Sequence, residues 1–295
     1  MSFDLKGWST ERLQRVEEAL SAWVPADAPA GLGEAMRYAV LDGGKRLRPL
    51  LVLGAAEAVG GHPQAALRAG CAVELIHAYS LVHDDMPCMD NDILRRGKPT
   101  VHVAFGQATA LLAGDALQAL AFELLAPDDA GIPDRTQARL CRLLAQAAGQ
   151  AGMAGGQAID LAAVGRSLTE DELRHMHRLK TGALLQASVM MGAACGEASP
   201  AAAAGLETYG RALGLAFQVV DDILDVTADS ATLGKTAGKD AAQDKPTYVS
   251  LLGLEPARAY ALELLGQARS ALATTGLPDT RALLALAEMV VHREN

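Results

Sequence analysis

Asp84, Asp85, Asp90 and Asp92 fall within nine positions of the stretch HDDMPCMDNDILRRGKPT, and Arg95 and Arg96 follow at once. A second acidic group, Asp221, Asp222 and Asp225, stands in FQVVDDILDV. On a helix the residues three and four before Asp225 are its neighbours, so these three carboxylates share one face, with Gln218 one turn before Asp222. Val219, Val220, Ile223 and Leu224 enclose them in place of other charges, which weighs against a merely solvated acidic face. Two groups of mutually repelling carboxylates call for a cation. Oxygen donors with no nearby cysteine or paired histidine suit a hard ion such as Mg2+, which takes few protein oxygens and shares a substrate's phosphates. Zinc is disfavoured; calcium stays open on chemistry alone, although its usual acidic loop ending in Glu is absent.

The first group does not keep helical spacing. At ~100° per residue, Asp85 and Asp90 lie about 140° apart on an ideal helix. The spacing predicts a helix that closes at Asp84 and Asp85, near Pro87, with Asp90 returning from the turn that follows. Cations stand ready for an anion. In GGKRLRPLL, Lys45 and Arg48 sit on a glycine-preceded turn feeding a helix N-terminus, where free N–H groups favour phosphate. Arg95 and Arg96 offer guanidinium forks suited to two phosphates. LGKTAGKD (233–240) has the look of a nucleotide-binding P-loop, but the required earlier glycine is Asp229 and no strand precedes it. Lys235, Lys239 and Lys245 are read instead as loop cations near the second acidic group. His77, seven residues before Asp84, shares a face with it, and Ser80 stands between them. A lone histidine on an apolar helix is more often a core residue, but this placement makes it a candidate ligand.

What must hold these groups is helical. Half of the 295 residues are hydrophobic but only 4% are aromatic, and Ala and Leu recur in long tracts. Turn-formers punctuate the chain at 25–33, 60–63, 127–134, 196–200 and 275–279, and no segment shows the alternation of a sheet. No linker divides it, which predicts an all-α, single-domain bundle of about ten helices over 1–295. SLTEDEL opens one helix with a Thr169–Glu172 capping box, running toward Gly196. Pro49 suits the first turn of another and should push Arg48 toward extended backbone. The net charge of −9 is the wrong sign for a nucleic-acid partner. Cys71, Cys88, Cys141 and Cys195, without CxxC spacing, are expected to be reduced thiols in or near the core. The charged amino terminus carries no export signal, and the longest uncharged run, 181–196, is short of the ~20 residues of a bilayer span. A cytoplasmic protein without membrane insertion is the expectation.

Taken in order, GGKRLRP, HDDMPCMDNDILRRGKPT, RLKTGALL, FQVVDDILD and LGKTAGKDAAQDKPTY closely resemble the trans-isoprenyl diphosphate synthases, among them the bacterial farnesyl diphosphate synthases, over nearly the whole chain. The resemblance implies a helical bundle around a central substrate cavity. It implies coupling of an allylic diphosphate, dimethylallyl and then geranyl, to isopentenyl diphosphate with Mg2+ as cofactor. Asp84, Asp85, Asp90, Asp221, Asp222 and Asp225 match the metal-holding motifs. Arg95, Lys180 and Lys235, with Lys245 on the same loop, should meet the allylic diphosphate; Lys45, Arg48, His77 and Arg96 should grip isopentenyl diphosphate. Thr181, Gln218 and carbonyls freed by a kink at Lys180-Thr181-Gly182 are candidate stabilisers of the allylic carbocation, since Thr and Gly are weak helix formers. No side chain is an evident base for the final proton loss, which the family's departed diphosphate is thought to take.

Within this resemblance, residues just before the first acidic group wall the space for the growing chain. A helical turn rises ~5.4 Å, close to one C5 unit, so a side chain one turn back decides how many units fit. Bulky Tyr79 beside small Ser80 resembles the bacterial C15 pattern, favouring farnesyl over geranyl or geranylgeranyl diphosphate. A class I terpene cyclase would show a differently spaced second motif and would not need GGKRLRP. A non-catalytic partner subunit would not need both intact acidic motifs. By analogy the chain is a homodimer, with Ala-rich 104–122 at its interface, and 228–245 is a lid candidate.

Overall fold

Alanine- and leucine-rich tracts become helices, and those that begin at Leu5, Pro63 and Glu170 start at side-chain caps the sequence supplies. A computed structural model describes residues 3–41, 43–128, 130–166, 168–227 and 247–293. Helix α1 (Leu5–Trp23) begins where Asp4 accepts the Gly7 N–H at 3.0 Å. Then come α2 (Leu32–Val40), α3 (Leu47–Ala58) and α4 (Pro63–Asp84), the last with proline at its first position. After α5 (Val101–Phe105) follow α6 (Gln107–Leu125), α7 (Asp134–Ala148) and α8 (Met153–Ala162). Helix α9 (Glu170–His177) opens with the expected Thr169–Glu172 capping box, passes through a π turn at Arg178–Gly182 and continues as α10 (Ala183–Ala194). The remaining helices are α11 (Pro200–Thr227), α12 (Tyr248–Leu252), α13 (Leu254–Ala273) and α14 (Arg281–Val291). The all-α expectation holds.

Three local expectations are corrected. A hairpin of two-residue strands, β1 (Leu94–Arg95) and β2 (Lys98–Pro99), pairs Arg95 with Lys98. Arg96 and Gly97 turn it with φ of 52° and 77°, as in a type I′ turn. Strands this short leave no alternation to read. Arg48 is helical, because α3 starts at Leu47 and the bend falls on Arg46 at φ 45°; Pro49 sits in the first turn, where a missing N–H costs no intrahelical bond. Cys88 is exposed, carried outward by the loop between Asp85 and Asp90, although all four cysteines are free thiols.

Helix α4 is the axis of the core, buried along its length between α3 and α6. On the other side, α10 packs between α3 and α11, and α13 covers α11. Helices α4 and α6 are each long and apolar enough to cross a membrane by length and composition; α4 instead spends 67% of that window inside the protein, and α6 39%. Beneath the turn before α3, Arg46 is withdrawn from water. Its Nε donates to Glu17 at 2.6 Å, Nη1 to buried Glu74 at 2.8 Å and Nη2 to the Val40 carbonyl at 2.6 Å. This network fixes the backbone that presents Lys45 and Arg48. Arg46→Met, which leaves Glu74 buried without its cation, should lower unfolding stability by about 3–5 kcal/mol in urea denaturation; a loss near zero contradicts this role.

Candidate active site

The chain reverses sharply at the end of α4. Asp85 caps the helix, its N–H bonding the Leu81 carbonyl, and the Asp90 N–H donates to the Asp84 carbonyl at 2.8 Å. Asn91, at φ 51°, and the Asp92 N–H bonded to Asp85 complete the return. Asp90 thus comes back beside Asp84, as the spacing required. Burial pushes the Asp84 carboxyl up to about 6; Lys180 opposes the shift and neighbouring Asp90 reinforces it. Asp85, 2% exposed, is held differently. Both its oxygens accept from Arg95, Nε at 2.8 Å and Nη2 at 2.5 Å, a bidentate fork.

The second acidic group depends on a close crossing. Gly214 of α11 lies against Gly182 of the π turn, and a Cβ on it would stand 2.9 Å from the Gly182 Cα. The missing side chain of Gly214 lets the helices meet here, and one turn later Gln218 reaches Thr181. The Thr181 hydroxyl donates to Gln218 Oε1 at 3.1 Å, and Gln218 Nε2 donates to Asp222 Oδ1 at 2.8 Å. Asp222 Oδ2 accepts the Tyr248 N–H at 2.8 Å, pinning the chain where α12 starts. Asp221 is partly exposed and accepts from Arg293 Nη2 at 3.1 Å. Asp225 is buried, and its Oδ1 has no hydrogen-bond partner.

A cavity of about 400 Å³ opens between α4, α8, the π turn and the start of α3. Arg48, His77, Tyr79, Ser80, Asp84, Lys180 and Thr181 all line it. His77 also lines a smaller adjoining cleft with Asp85, Arg95 and Arg96. Burial first, then the charges of Arg48, Arg96, Arg95 and Arg46, hold the His77 ring neutral, far below the usual histidine range. Arg96 folds back to donate to the Gly43 carbonyl at 2.6 Å, so the hairpin and the Lys45 turn form one cationic rim. Burial, then Arg293, lowers the Lys45 ammonium, while Asp221 opposes. Arg48 is likewise lowered by burial, and its Nε lacks a hydrogen-bond partner.

Arg48, His77, Tyr79, Ser80, Asp84, Lys180 and Thr181 line this cavity, and Asp85, Arg95 and Arg96 line the cleft beside it. Gln218 and Asp222 join it through Thr181, Asp90 returns beside Asp84, and Lys45 feels the charge of Asp221. Asp221 and Asp225 share α11 with Asp222 but line neither space. Lys235 and Lys245, with the 228–245 lid candidate, lie outside the described residues. Among the described residues, no three His, Cys, Asp or Glu side chains form a ready-made metal cage. The donor set still fits a hard divalent cation: all oxygen, with a poorly solvated Asp84–Asp90 pair and an orphaned Asp225 oxygen. The sequence reading missed Asp160, which accepts the Lys180 ammonium at 2.6 Å, and Gln157, Met153 and Leu161 on the same helix. Gln157 and Asp160, three apart in GGQAIDL, were a visible signal; Arg293, near the chain end, gave none.

The profile of the polyprenyl synthetase family matches residues 29–275. A Sinorhizobium fredii protein described as "Probable farnesyl diphosphate synthase" is 53% identical over 276 residues, 91% of this chain and 82% of that one. A chloroplastic geranylgeranyl pyrophosphate synthase of Capsicum annuum is 46% identical over 295 residues, covering 99% and 80%. The crystal structure of an FPP/GFPP synthase from Zymomonas mobilis superposes with a TM-score of 0.86 at 42% identity, covering 99% of this chain and 100% of that one.

Next to the π turn, His177 stacks on Tyr248, and neither ring nitrogen has a hydrogen-bond partner. Burial lowers it to about 4. The folded ring stays neutral while the unfolded chain takes up a proton near pH 6.5, so this group removes stability as pH falls from about 6.5 toward 4. His177→Phe should therefore lose less stability than the unmodified chain between pH 7 and pH 5, by roughly 2 kcal/mol in chemical denaturation; equal losses contradict the assignment.

Proposed function

This chain belongs to the polyprenyl synthetase family and is a trans-prenyltransferase, and from that premise we propose that it adds isopentenyl diphosphate to dimethylallyl and then geranyl diphosphate, ending at (2E,6E)-farnesyl diphosphate. The observation that carries this reading is the shared wall at His77. It separates, and joins, a cationic cleft lined by Arg46, Arg95 and Arg96 and a cavity lined by Arg48, Asp84 and Lys180. Two polyanions can thus be held with their hydrocarbon parts adjacent.

Magnesium, when bound, would neutralise charge gathering on the departing diphosphate, and Asp84 and Asp90 with Asp221 and Asp225 would hold it. Asp85 and Asp222 complete the two motifs with both oxygens already engaged by protein donors, which orients the stretches that carry the other four. Arg95 and Lys180 face the allylic diphosphate; Lys45, Arg48, His77 and Arg96 receive isopentenyl diphosphate, with Lys235 and Lys245 as further cations for the leaving group. Charge that develops on the allylic carbons is met by Thr181 and Gln218, whose dipoles are already oriented by the chain of hydrogen bonds to Asp222. The π turn adds carbonyls whose regular partners are displaced.

Chain length follows from α4. Tyr79 is buried, its hydroxyl sharing a hydrogen bond with Gln118 and its ring edge-on to His83. Ser80 is small and donates to the His77 carbonyl at 2.8 Å. Tyr79 thus blocks while Ser80 leaves room. The geranylgeranyl pyrophosphate synthases among the relatives favour C20 as the second reading of product length. The apolar face of α6, where Leu111 and Leu112 are about half exposed, is proposed to be covered by a second copy in a homodimer. Four free thiols accord with a cytoplasmic setting.

Incubation with isopentenyl and dimethylallyl diphosphates should yield a C15 product only when Mg2+ is present. Cyclised hydrocarbon would indicate a terpene cyclase, and no product a non-catalytic partner subunit. Ser80→Phe should shorten the product toward C10 and Tyr79→Ala lengthen it to C20 or beyond; unchanged lengths in both remove the C15 assignment. In light scattering after gel filtration, two chains per particle are expected, and Leu112→Arg should give one; a monomeric unmodified chain refutes the dimer.

A further inference from the structure

One polar group in the cavity has no partner and no role in the account above. Gln157, on α8, lines the cavity, and both its Nε2 and its Oε1 are shielded from solvent without a hydrogen bond. An amide in this state has given up water and gained nothing in return. Buried polar atoms are otherwise almost always satisfied, so such a pair points to a ligand.

Its position says which part of a ligand. The α8 face toward the cavity reads Met153, Ala154, Gln157, Ala158 and Leu161, apolar except for this amide. One turn along, Asp160 takes the Lys180 ammonium at 2.6 Å. Gly156 is pressed onto the π turn so closely that a Cβ would fall 2.1 Å from the Lys180 nitrogen, so Gln157 is fixed beside Lys180 and Thr181. The amide therefore shares its cavity with Asp84 and Lys180 on one hand and with Met153 and Leu161 on the other. Gln218, by contrast, already accepts from Thr181 and donates to Asp222.

We propose that Gln157 is a further catalytic residue of prenyl transfer, its amide oxygen facing the allylic carbon that ionises and its NH2 donating to the departing diphosphate; this rests on the prenyltransferase reading. As the C1–O bond breaks, both electrons leave on the diphosphate and the allylic carbons become positive. The double bond of isopentenyl diphosphate then supplies the pair that forms the new C–C bond, and the departed diphosphate takes up the proton that is lost. A fixed dipole with oxygen toward the cation and N–H toward the anion gains as the charges separate, so it favours the transition state over the bound substrate.

The test is Gln157→Leu in the full chain, assayed with Mg2+ and both diphosphates. Loss of one oriented dipole should lower kcat roughly 10²-fold with KM for isopentenyl diphosphate unchanged. Thermal stability should be equal or higher, because two unpartnered polar groups are gone. An ammonium analogue of the allylic cation carrying a diphosphate should bind more weakly by a comparable factor, while an uncharged thio-linked allylic diphosphate binds as before. A kcat within about threefold of the unmodified chain, or equal weakening of both analogues, overturns the proposal. Should the leucine variant fold poorly, Gln157→Met carries the same comparison. Failure of the unmodified chain to transfer prenyl groups overturns the prenyltransferase reading instead, and the same assay shows it.

Discussion

A carboxylate taken out of water must find a cation, and most of this site is arranged by that demand. Arg95 forks onto Asp85, Lys180 closes on Asp160 and Arg293 reaches Asp221, while Arg46 joins Glu17 and Glu74 below. Each pair ties one element to another: hairpin to α4, π turn to α8, chain end to α11. Two carboxylates are served less well. Asp84 is buried enough to resist ionisation, and Asp225 keeps an oxygen without a hydrogen bond. A divalent ion arriving with a diphosphate would meet the groups whose charge the protein leaves least compensated.

The positions of these groups depend on departures from regular helix. Helix α4 stops at Asp84 so that Asp90 can return; the α9–α10 rod relaxes into a π turn at Lys180-Thr181-Gly182; α11 meets that turn only through glycine. Regular stretches on either side bury leucine and alanine and supply the stability that these irregular turns do not. Helix α4 serves twice, since Tyr79 and Ser80 wall the cavity one turn before the aspartates. The first acidic group and one wall of the cavity are thereby carried by one rigid element.

Arginine also sets the architecture of the site. Arg96 anchors to Gly43 and so aligns two cationic segments about fifty residues apart, and His77, neutral among four arginines, forms the wall between cleft and cavity. A protonated ring there would add a fifth positive charge to a buried cluster, whereas a neutral one can accept or donate a hydrogen bond without that repulsion.

Much was legible locally. Spacing of three and four placed Asp221, Asp222 and Asp225 together, the mismatch at Asp85 and Asp90 required a reversal near Pro87, and weak helix formers at 181–182 marked the kink, because each of these follows from backbone periodicity alone. Composition likewise indicated helices throughout. What local pattern could not contain was pairing between distant segments. Nothing in RLKTGALL, HREN or GGQAIDL says that Arg293 meets Asp221, that Asp160 takes Lys180, or that Gln157 is buried without a partner. Nor does HDDMPCMD say that Asp85 is spent on Arg95. The contacts of Thr181 with Gln218 and of Lys180 with Asp160 were decided where Gly214 met Gly182 and Gly156 met Lys180. Those of Arg293 and Arg95 were decided by the return of distant segments onto α11 and α4, since the distance between elements selects which polar groups come within reach of one another.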